Sequence, residues 1–354
     1  VHQEENLGEK IAWEPLGVIA NISAWNYPFF VGTNVFIPGL IGGNAILYKP
    51  SEHSTLTGLK IEALLHEAVV PRQVFQVVTG GAAAGEALLD LPLDGYFFTG
   101  SYRTGKYIYE RVAPRMVPCQ LELGGKDPLY VTADNADLAA VARSVADGAF
   151  YNAGQSCCAV ERIYVHRYVY EKFADAFVEE VESFKLGDPL EEDTYLGPLA
   201  RKPQVEFLQK QVGDAMLKGA RVLCGEERWE GKGYYFIPTV LTDTHHDMQL
   251  MKAETFGPFI GIQEVRDDAE ATYLMRDTPY GLTASVFSDQ YETAEPILQG
   301  MNTGSAYWNC SDRVSPRLPW SGRGHSGIGT TLSYLGIRTF VRPKAYHLRG
   351  NWGT

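Results

Sequence analysis

The chain has 354 residues, a formal net charge of −12, 45% hydrophobic residues and 21% charged ones. That length accommodates two domains of ordinary size, and the composition is that of a soluble globular protein with a buried core. The surplus of acid excludes nucleic acid or an anionic membrane as partner, because like charges repel.

No apolar run reaches membrane-spanning length, and no segment reads as a basic-then-apolar leader. The five cysteines, Cys119, Cys157, Cys158, Cys224 and Cys310, are an odd and scattered set rather than a disulfide framework. A reducing, cytoplasmic setting is therefore expected. His245-His246-Asp247 lacks a further His or Cys at ligand spacing, so no metal site is expected.

Residues 10–24 read as two strands broken at Glu14-Pro15, since proline interrupts a ladder. The first is expected at a sheet edge, open to pairing with another subunit. The second, apolar on both faces, reads as a buried parallel strand ending at Trp25-Asn26-Tyr27-Pro28. A helix to about Gly42 leads to a strand at 45–48 and then Lys49-Pro50-Ser51-Glu52. Alternation continues with helix 55–69, strand 74–78, helix 82–89, strand 95–99 and helix 104–112. Repeated units of this kind imply a parallel, doubly wound sheet. Gly80-Gly81 and Gly100-Ser101-Tyr102-Arg103-Thr104-Gly105 each stand between strand and helix, where helix N-terminal N–H groups can meet phosphate.

A second alternating series follows Gly124-Gly125: strand 128–132, helix 137–149, strand 160–166 and helix 168–184, then a helix at 202–218 after a loop. Strand 259–265, a strand at 304–310, a loop at 311–320 and a closing strand at 341–348 complete the chain.

Two stretches carry the chemistry. In Phe150-Tyr151-Asn152-Ala153-Gly154-Gln155-Ser156-Cys157-Cys158, the cysteines fall between a helix and a strand. A free thiol is only about 3% ionised near neutrality, so a nucleophilic cysteine needs help from its surroundings. Gly154 and Gln155 offer flexible backbone and an amide at that place. The alternative is that both cysteines are small buried apolar residues. In Gln120-Leu121-Glu122-Leu123-Gly124-Gly125-Lys126, a carboxylate lies between leucines before a Gly-Gly turn. Burial there would raise its pKa and suit it to act as a base, whereas a solvent-facing strand position would leave it ordinary. Asn26 reads either as the cap of the next helix or as a donor at a strand's C-terminal end, where open α/β sheets place ligands.

The run from Glu122 to Lys126 followed by Gly154-Gln155-Ser156-Cys157 resembles the signature segments of the aldehyde dehydrogenase superfamily, in its hydrolytic branch. The resemblance extends, in the family's order, to Trp25-Asn26-Tyr27-Pro28, Lys49-Pro50-Ser51-Glu52, Phe98-Thr99-Gly100-Ser101 and Glu254-Thr255-Phe256-Gly257-Pro258, so it spans nearly the whole chain. It implies an α/β fold of two doubly wound domains plus a small oligomerisation sheet. The expected division is an oligomerisation strand region at 1–17, a Rossmann-like dinucleotide-binding domain at 18–123, a catalytic domain at 124–325 and a C-terminal return with an oligomerisation strand at 326–354. Relatives carry a helical stretch before the segment resembling residues 8–28, so the resemblance implies that an N-terminal part is missing here.

The same resemblance implies NAD-dependent oxidation of an aldehyde to a carboxylic acid, with a small-molecule aldehyde as partner and a homodimer or homotetramer as assembly. Cys157 would be the nucleophile, Glu122 the base that hydrolyses the thioester, and Asn26 an oxyanion donor. Trp25, Lys49, Ser51, Glu52, Gly80, Phe98, Gly100, Ser101, Thr104, Glu254 and Phe256 would hold the cofactor. Glu52 favours NAD, with NADP possible. Tyr27, Phe30, Tyr151 and Trp320 would line a tunnel for an apolar or aromatic aldehyde; the alternative is that Arg313 or Arg317 draws an anionic chain. Many relatives carry a second carboxylate in Ser-Gly-x-Gly-Arg-Glu-Leu-Gly-Glu. Here the segment reads Ser326-Gly327-Ile328-Gly329-Thr330-Thr331-Leu332-Ser333, so that carboxylate is expected to be absent. The competing readings are an NAD-independent thiol esterase and a catalytically silent scaffold.

Overall fold

The computed structural model describes residues 1–4, 6–225, 229 and 231–350. The last four residues of the expected 326–354 segment lie outside the described residues. The chain forms two compact units, one of residues 1–122, 315–320 and 328–354, the other of residues 123–314 and 321–327.

The first unit opens with β1 (His2–Glu4) and β2 (Leu7–Pro15), which form a three-stranded antiparallel sheet with the closing strand Val341–Arg349. The expected sheet edge is present at residues 10–13, where among the described residues only one side of β2 is paired. The closing strand pairs with β2 along its whole length, from Pro15 opposite Val341 to Leu7 opposite Arg349. Two nine-residue strands of one chain satisfy each other's ladder groups on that side, and β1 covers the other side only from Leu7 to Glu9.

Five further strands of this unit run parallel: β3 (Val18–Ile22), β4 (Ala45–Lys49), β5 (Phe75–Val77), β6 (Gly95–Thr99) and β7 (Cys119–Glu122). Their order is β5-β4-β3-β6-β7. The order reverses between β3 and β6, which opens a crevice at the strands' C-terminal ends. Phe36, Tyr48 and Phe75 meet edge-on or tilted in the core, with ring centroids 5.1 to 5.9 Å apart. Burying each such ring is worth roughly 1.5–3 kcal/mol, so this cluster fixes the helix Phe30–Ile41 on the sheet.

In the second unit β8 (Asp127–Val131), β9 (Val160–His166), β10 (Arg221–Cys224), β11 (Thr239–Thr242), β12 (Phe259–Val265), β13 (Thr283–Phe287) and β14 (Ser305–Trp308) form one sheet of order β10-β11-β12-β9-β8-β13-β14. All neighbours are parallel except β10 and β11. Every residue of β8, β9 and β13 is buried. Parallel strands covered on both faces read as continuous apolar runs, and β8 and β9 appear so in the sequence save for Asp127, Glu161-Arg162 and His166, whereas β13 carries Thr283 and Ser285. Asp137 caps the helix Leu138–Phe150 by accepting from the Ala140 N–H at 2.9 Å, which fixes where that helix begins. Among the described residues no helix is long and apolar enough to cross a membrane.

Candidate active site

In the second unit the helix Leu138–Phe150 stops in a turn where Asn152, Ala153 and Gly154 all have positive φ, at 54°, 54° and 66°. Only glycine adopts that region without penalty, so the turn is held by its surroundings. Gln155 supplies part of the hold. Its side-chain oxygen accepts from the Ala200 N–H at 2.9 Å, and its amide nitrogen donates to the Asn152 carbonyl at 3.1 Å. The amide expected to assist the thiol thus anchors the loop.

The two cysteines part company at its end. Cys158 is buried and its Sγ donates to Asp312 Oδ1 at 2.8 Å, with Ser156 Oγ on the same oxygen at 3.3 Å. The neighbouring Cys157 thiol, burial and the Asp312 charge push the Cys158 thiol well above its ordinary value. Buried cysteines with raised pKa values are poor nucleophiles. Cys157 is half-buried, with surface left for a reactant.

The Gly-Gly turn explains itself through close approach. A methyl on Gly125 would stand 2.6 Å from the Cys157 carbonyl oxygen, and one on Gly124 would stand 2.1 Å from the Glu254 carboxylate. Glu254 accepts from the Gly125 N–H at 3.2 Å, and burial together with nearby Glu161 pushes its carboxyl up to about 8. Phe256 has φ +50°. Its N–H donates to Glu161 Oε1 at 2.9 Å, the Thr255 N–H donates to Glu161 Oε2 at 2.8 Å, and Lys126 Nζ closes on Glu161 at 2.5 Å. Lys126, which also donates to Thr255 Oγ1 at 2.9 Å, and Glu161 therefore hold the segment 254–256, while Arg162 donates to the Lys126 carbonyl at 3.0 Å. The unexpected Glu-Arg pair inside β9 was the legible signal for this network.

In the first unit Trp25, Lys49, Ser51, Glu52, Phe98, Gly100 and Thr104 line one cleft of about 280 Å³ at the C-terminal ends of β3, β4 and β6. Lys49 is buried, donates to the Pro50 carbonyl at 3.1 Å and lies 3.8 Å from Glu52; burial lowers its pKa. An ammonium and a carboxylate side by side in such a crevice fit the hydroxyls of an adenosine ribose, and the residues present fit a dinucleotide. Gly81, read from the sequence as part of a phosphate-facing turn, also lines it, and sequence reasoning missed Gly85, Glu86 and Tyr107. Gly80 has φ +134° beside the lining Gly81. Ser101 is the N-cap of the helix Tyr102–Val112: its Oγ accepts from the Thr104 N–H at 3.4 Å and donates to Thr104 Oγ1 at 3.1 Å.

Asn26 does not cap the helix after it, whose N-cap is Phe29. Tyr27 instead closes the turn, its carbonyl accepting from the Phe30 and Val31 N–H groups at 2.9 and 3.0 Å. Of the residues expected around the substrate, Phe30 and Tyr151 are exposed at 43% and 49%, one in each unit, while Trp320 is buried.

Glu122 ends β7 and is buried rather than solvent-facing. Gln120 Nε2 donates to its Oε1 at 2.7 Å and Thr331 Oγ1 donates to the same oxygen at 3.3 Å. Burial pushes the carboxyl up to about 8. Gln120 could have been found from the sequence, since positions two apart on a strand share a face. Thr331, some two hundred residues away, left no such signal.

Comparison with known proteins agrees with this assembly of parts. The profile described as "Aldehyde dehydrogenase family" matches residues 2–346. A betaine aldehyde dehydrogenase of Hordeum vulgare is 37% identical over 335 residues, 94% of this chain and 66% of that protein, so the chain spans just under two thirds of that relative's length. Among solved structures, an NADP dependent enzyme of E. coli superposes with a TM-score of 0.95 at 31% identity, covering 99% of this chain and 73% of the other. A betaine aldehyde dehydrogenase of Staphylococcus aureus in complex with NAD+ superposes with a TM-score of 0.94 at 29% identity, covering 100% of this chain and 71% of the other. The chain belongs to the aldehyde dehydrogenase family.

Proposed function

We propose that this chain oxidises an aldehyde to a carboxylic acid with NAD, or NADP, as acceptor. The observation that carries the reading is the division within the cysteine loop, where Cys158 is buried on Asp312 and Cys157 is only half-buried.

Cys157 attacks the aldehyde carbon as a thiolate, forming a C–S bond, and the carbonyl oxygen becomes an oxyanion. Asn26 and the Cys157 N–H are the donors to that oxygen, an interaction typically worth about 3–4 kcal/mol of transition-state stabilisation. A bound nicotinamide supplies the acceptor for the hydride that leaves the same carbon. A thioester on Cys157 remains. Glu122 then takes a proton from water, which adds to the thioester carbon and releases the acid and the thiol; such general-base help is typically worth about 10²–10⁴-fold. Lys49 and Glu52 hold the adenosine ribose, and Glu254 with Phe256 the nicotinamide end. The name of the barley relative puts betaine aldehyde and related amino aldehydes first among substrates to try.

One observation favours a second reading, a silent partner protein. The helices Phe30–Ile41 and Thr55–Glu67 expose Phe30, Ile37, Ile41, Leu56, Leu59 and Leu64. One experiment separates the two: NADH formation with a panel of amino, aliphatic and aromatic aldehydes, for wild type, Cys157→Ala and Glu122→Gln. Turnover by wild type, none by Cys157→Ala and a single stoichiometric burst from Glu122→Gln supports the dehydrogenase. A folded chain that neither binds NAD nor forms NADH is the partner protein, and Cys157-dependent ester cleavage without NAD binding is the esterase.

A further inference from the structure

The carboxyl of Glu122 is held asymmetrically. Both of its hydrogen-bond donors, Gln120 Nε2 at 2.7 Å and Thr331 Oγ1 at 3.3 Å, are on Oε1. Oε2 has no partner among the described residues. Each donor is itself fixed. Gln120 is buried on the same strand, and Gly329, at φ +91°, lies so close that a methyl there would stand 2.5 Å from Gln120 Cγ. Thr331 is fully buried, and its backbone is tied to Trp320 by two hydrogen bonds of 2.8 Å, one in each direction. The segment read from the sequence as lacking a carboxylate delivers a hydroxyl to the base instead.

We infer that Thr331 and Gln120 are positioning residues, a two-donor clamp that occupies Oε1 of Glu122 and leaves Oε2 as the single oxygen that takes the proton from the hydrolytic water. This rests on the reading of Glu122 as the thioester base.

The physical reason is that an oxygen already accepting two hydrogen bonds is the less basic of a carboxyl's pair, so the proton resides on the other. The carboxyl is also kept from rotating, and a rotating carboxyl would offer either oxygen to water and spend part of its time misaligned. No charged side chain of the described residues contributes to the balance on Glu122, where burial raises the pKa and the two donors lower it. Trp320 thereby acts on Glu122 through the backbone of Thr331.

The test uses Thr331→Val, which keeps shape and removes the hydroxyl, Thr331→Ser, which keeps the hydroxyl, and Gln120→Leu. Acylation of Cys157 by p-nitrophenyl acetate gives a burst, and the steady rate after it reads release of the acyl group. The clamp predicts an unchanged burst amplitude in Thr331→Val, a steady rate about 3- to 10-fold lower, and a pH midpoint of that rate moved upward by about one unit. Thr331→Ser should return both toward wild type, and Gln120→Leu should move them in the same direction as Thr331→Val. A folded Thr331→Val with an unmoved midpoint overturns the clamp. A reduced burst with an unmoved midpoint also overturns it, because that pattern is loss of structure.

Infrared difference titration supplies a readout independent of turnover. The protonated-carboxyl band that disappears in Glu122→Gln should titrate higher in Thr331→Val than in wild type. If wild type shows no burst at all, the assigned reaction fails, while this band still decides whether the clamp exists.

Discussion

Gly154 stands against Gly257 so closely that a methyl on Gly154 would lie 2.3 Å from the Gly257 carbonyl oxygen. This contact ties the cysteine loop to the Glu254–Pro258 segment within the second unit. Gly154→Ala would add that clash to a left-handed φ of 66°. Strain of this kind typically costs about 1–3 kcal/mol. The expected outcome is a Tm several degrees lower, together with altered alkylation of Cys157 by iodoacetamide. Unchanged alkylation kinetics in the folded variant would show that the contact does not set the thiol's position.

The pair Lys126 and Glu161 is buried with Nζ and Oε2 2.5 Å apart. Removing one partner leaves a buried charge without its counterion, at a cost of about 3–5 kcal/mol. Lys126→Met and Glu161→Gln should each lower the midpoint of urea unfolding strongly. The double variant should recover part of the loss, and plain additivity would show that the two do not act as a pair.

Acidity at Glu122 should be visible in stability as well as in catalysis. Its carboxyl is raised from 4.5 to about 8 by burial. Between those values the folded chain keeps a proton that the unfolded chain has lost, so this group's contribution falls as pH rises through the window and levels off above about 8. Glu122→Gln mimics the protonated form, its amide nitrogen standing where the proton-bearing oxygen stood. It should match wild type in Tm at about pH 4.5 and exceed it at about pH 8.5. A Tm difference that does not change with pH would remove Glu122 from the account.

Cofactor affinity should depend on the cleft at β3, β4 and β6. Lys49→Met and Glu52→Gln are each expected to weaken NAD about 5- to 10-fold by calorimetry, the loss of one or two hydrogen bonds. Glu52→Gln should narrow any preference for NAD over NADP, because it removes the carboxylate that repels a 2′-phosphate. An unchanged ratio of the two affinities would place cofactor choice elsewhere.

Ser101 should behave differently from those two. As an N-cap it is worth about 1 kcal/mol to its helix. Ser101→Ala is expected to lower Tm slightly, with less effect on NAD affinity than Lys49→Met. A larger effect on affinity would make its hydroxyl a ligand contact in addition to a cap.

Legibility followed the range of the interaction. The parallel strands were readable because strands buried on both faces need continuous apolar runs, as at Tyr96, Phe97 and Phe98 or Ile163, Tyr164 and Val165. Their boundaries came within a residue or two of the observed ones, since Pro15, Pro71 and the glycines punctuate the chain where ladders and helices must stop. β10, β11 and β13 were not read, because strands of four or five residues with polar members such as Thr239, Thr283 and Ser285 carry too little pattern to separate them from loop.

Residue identity and order by themselves determined the family, the alternating α/β pattern, and the pairing of a cysteine loop with a carboxylate before a Gly-Gly turn. These rest on local chemistry: periodicity, turn residues and short motifs. Tertiary structure alone decided which cysteine is buried, since Asp312 reaches Cys158 from more than 150 residues away. It alone converted Gln155 into an anchor, joined Lys126 to Glu161, and brought Thr331 to Glu122. Those outcomes depend on which side chains meet across long loops, and hydrogen bonds between residues distant in sequence leave no periodic trace in it.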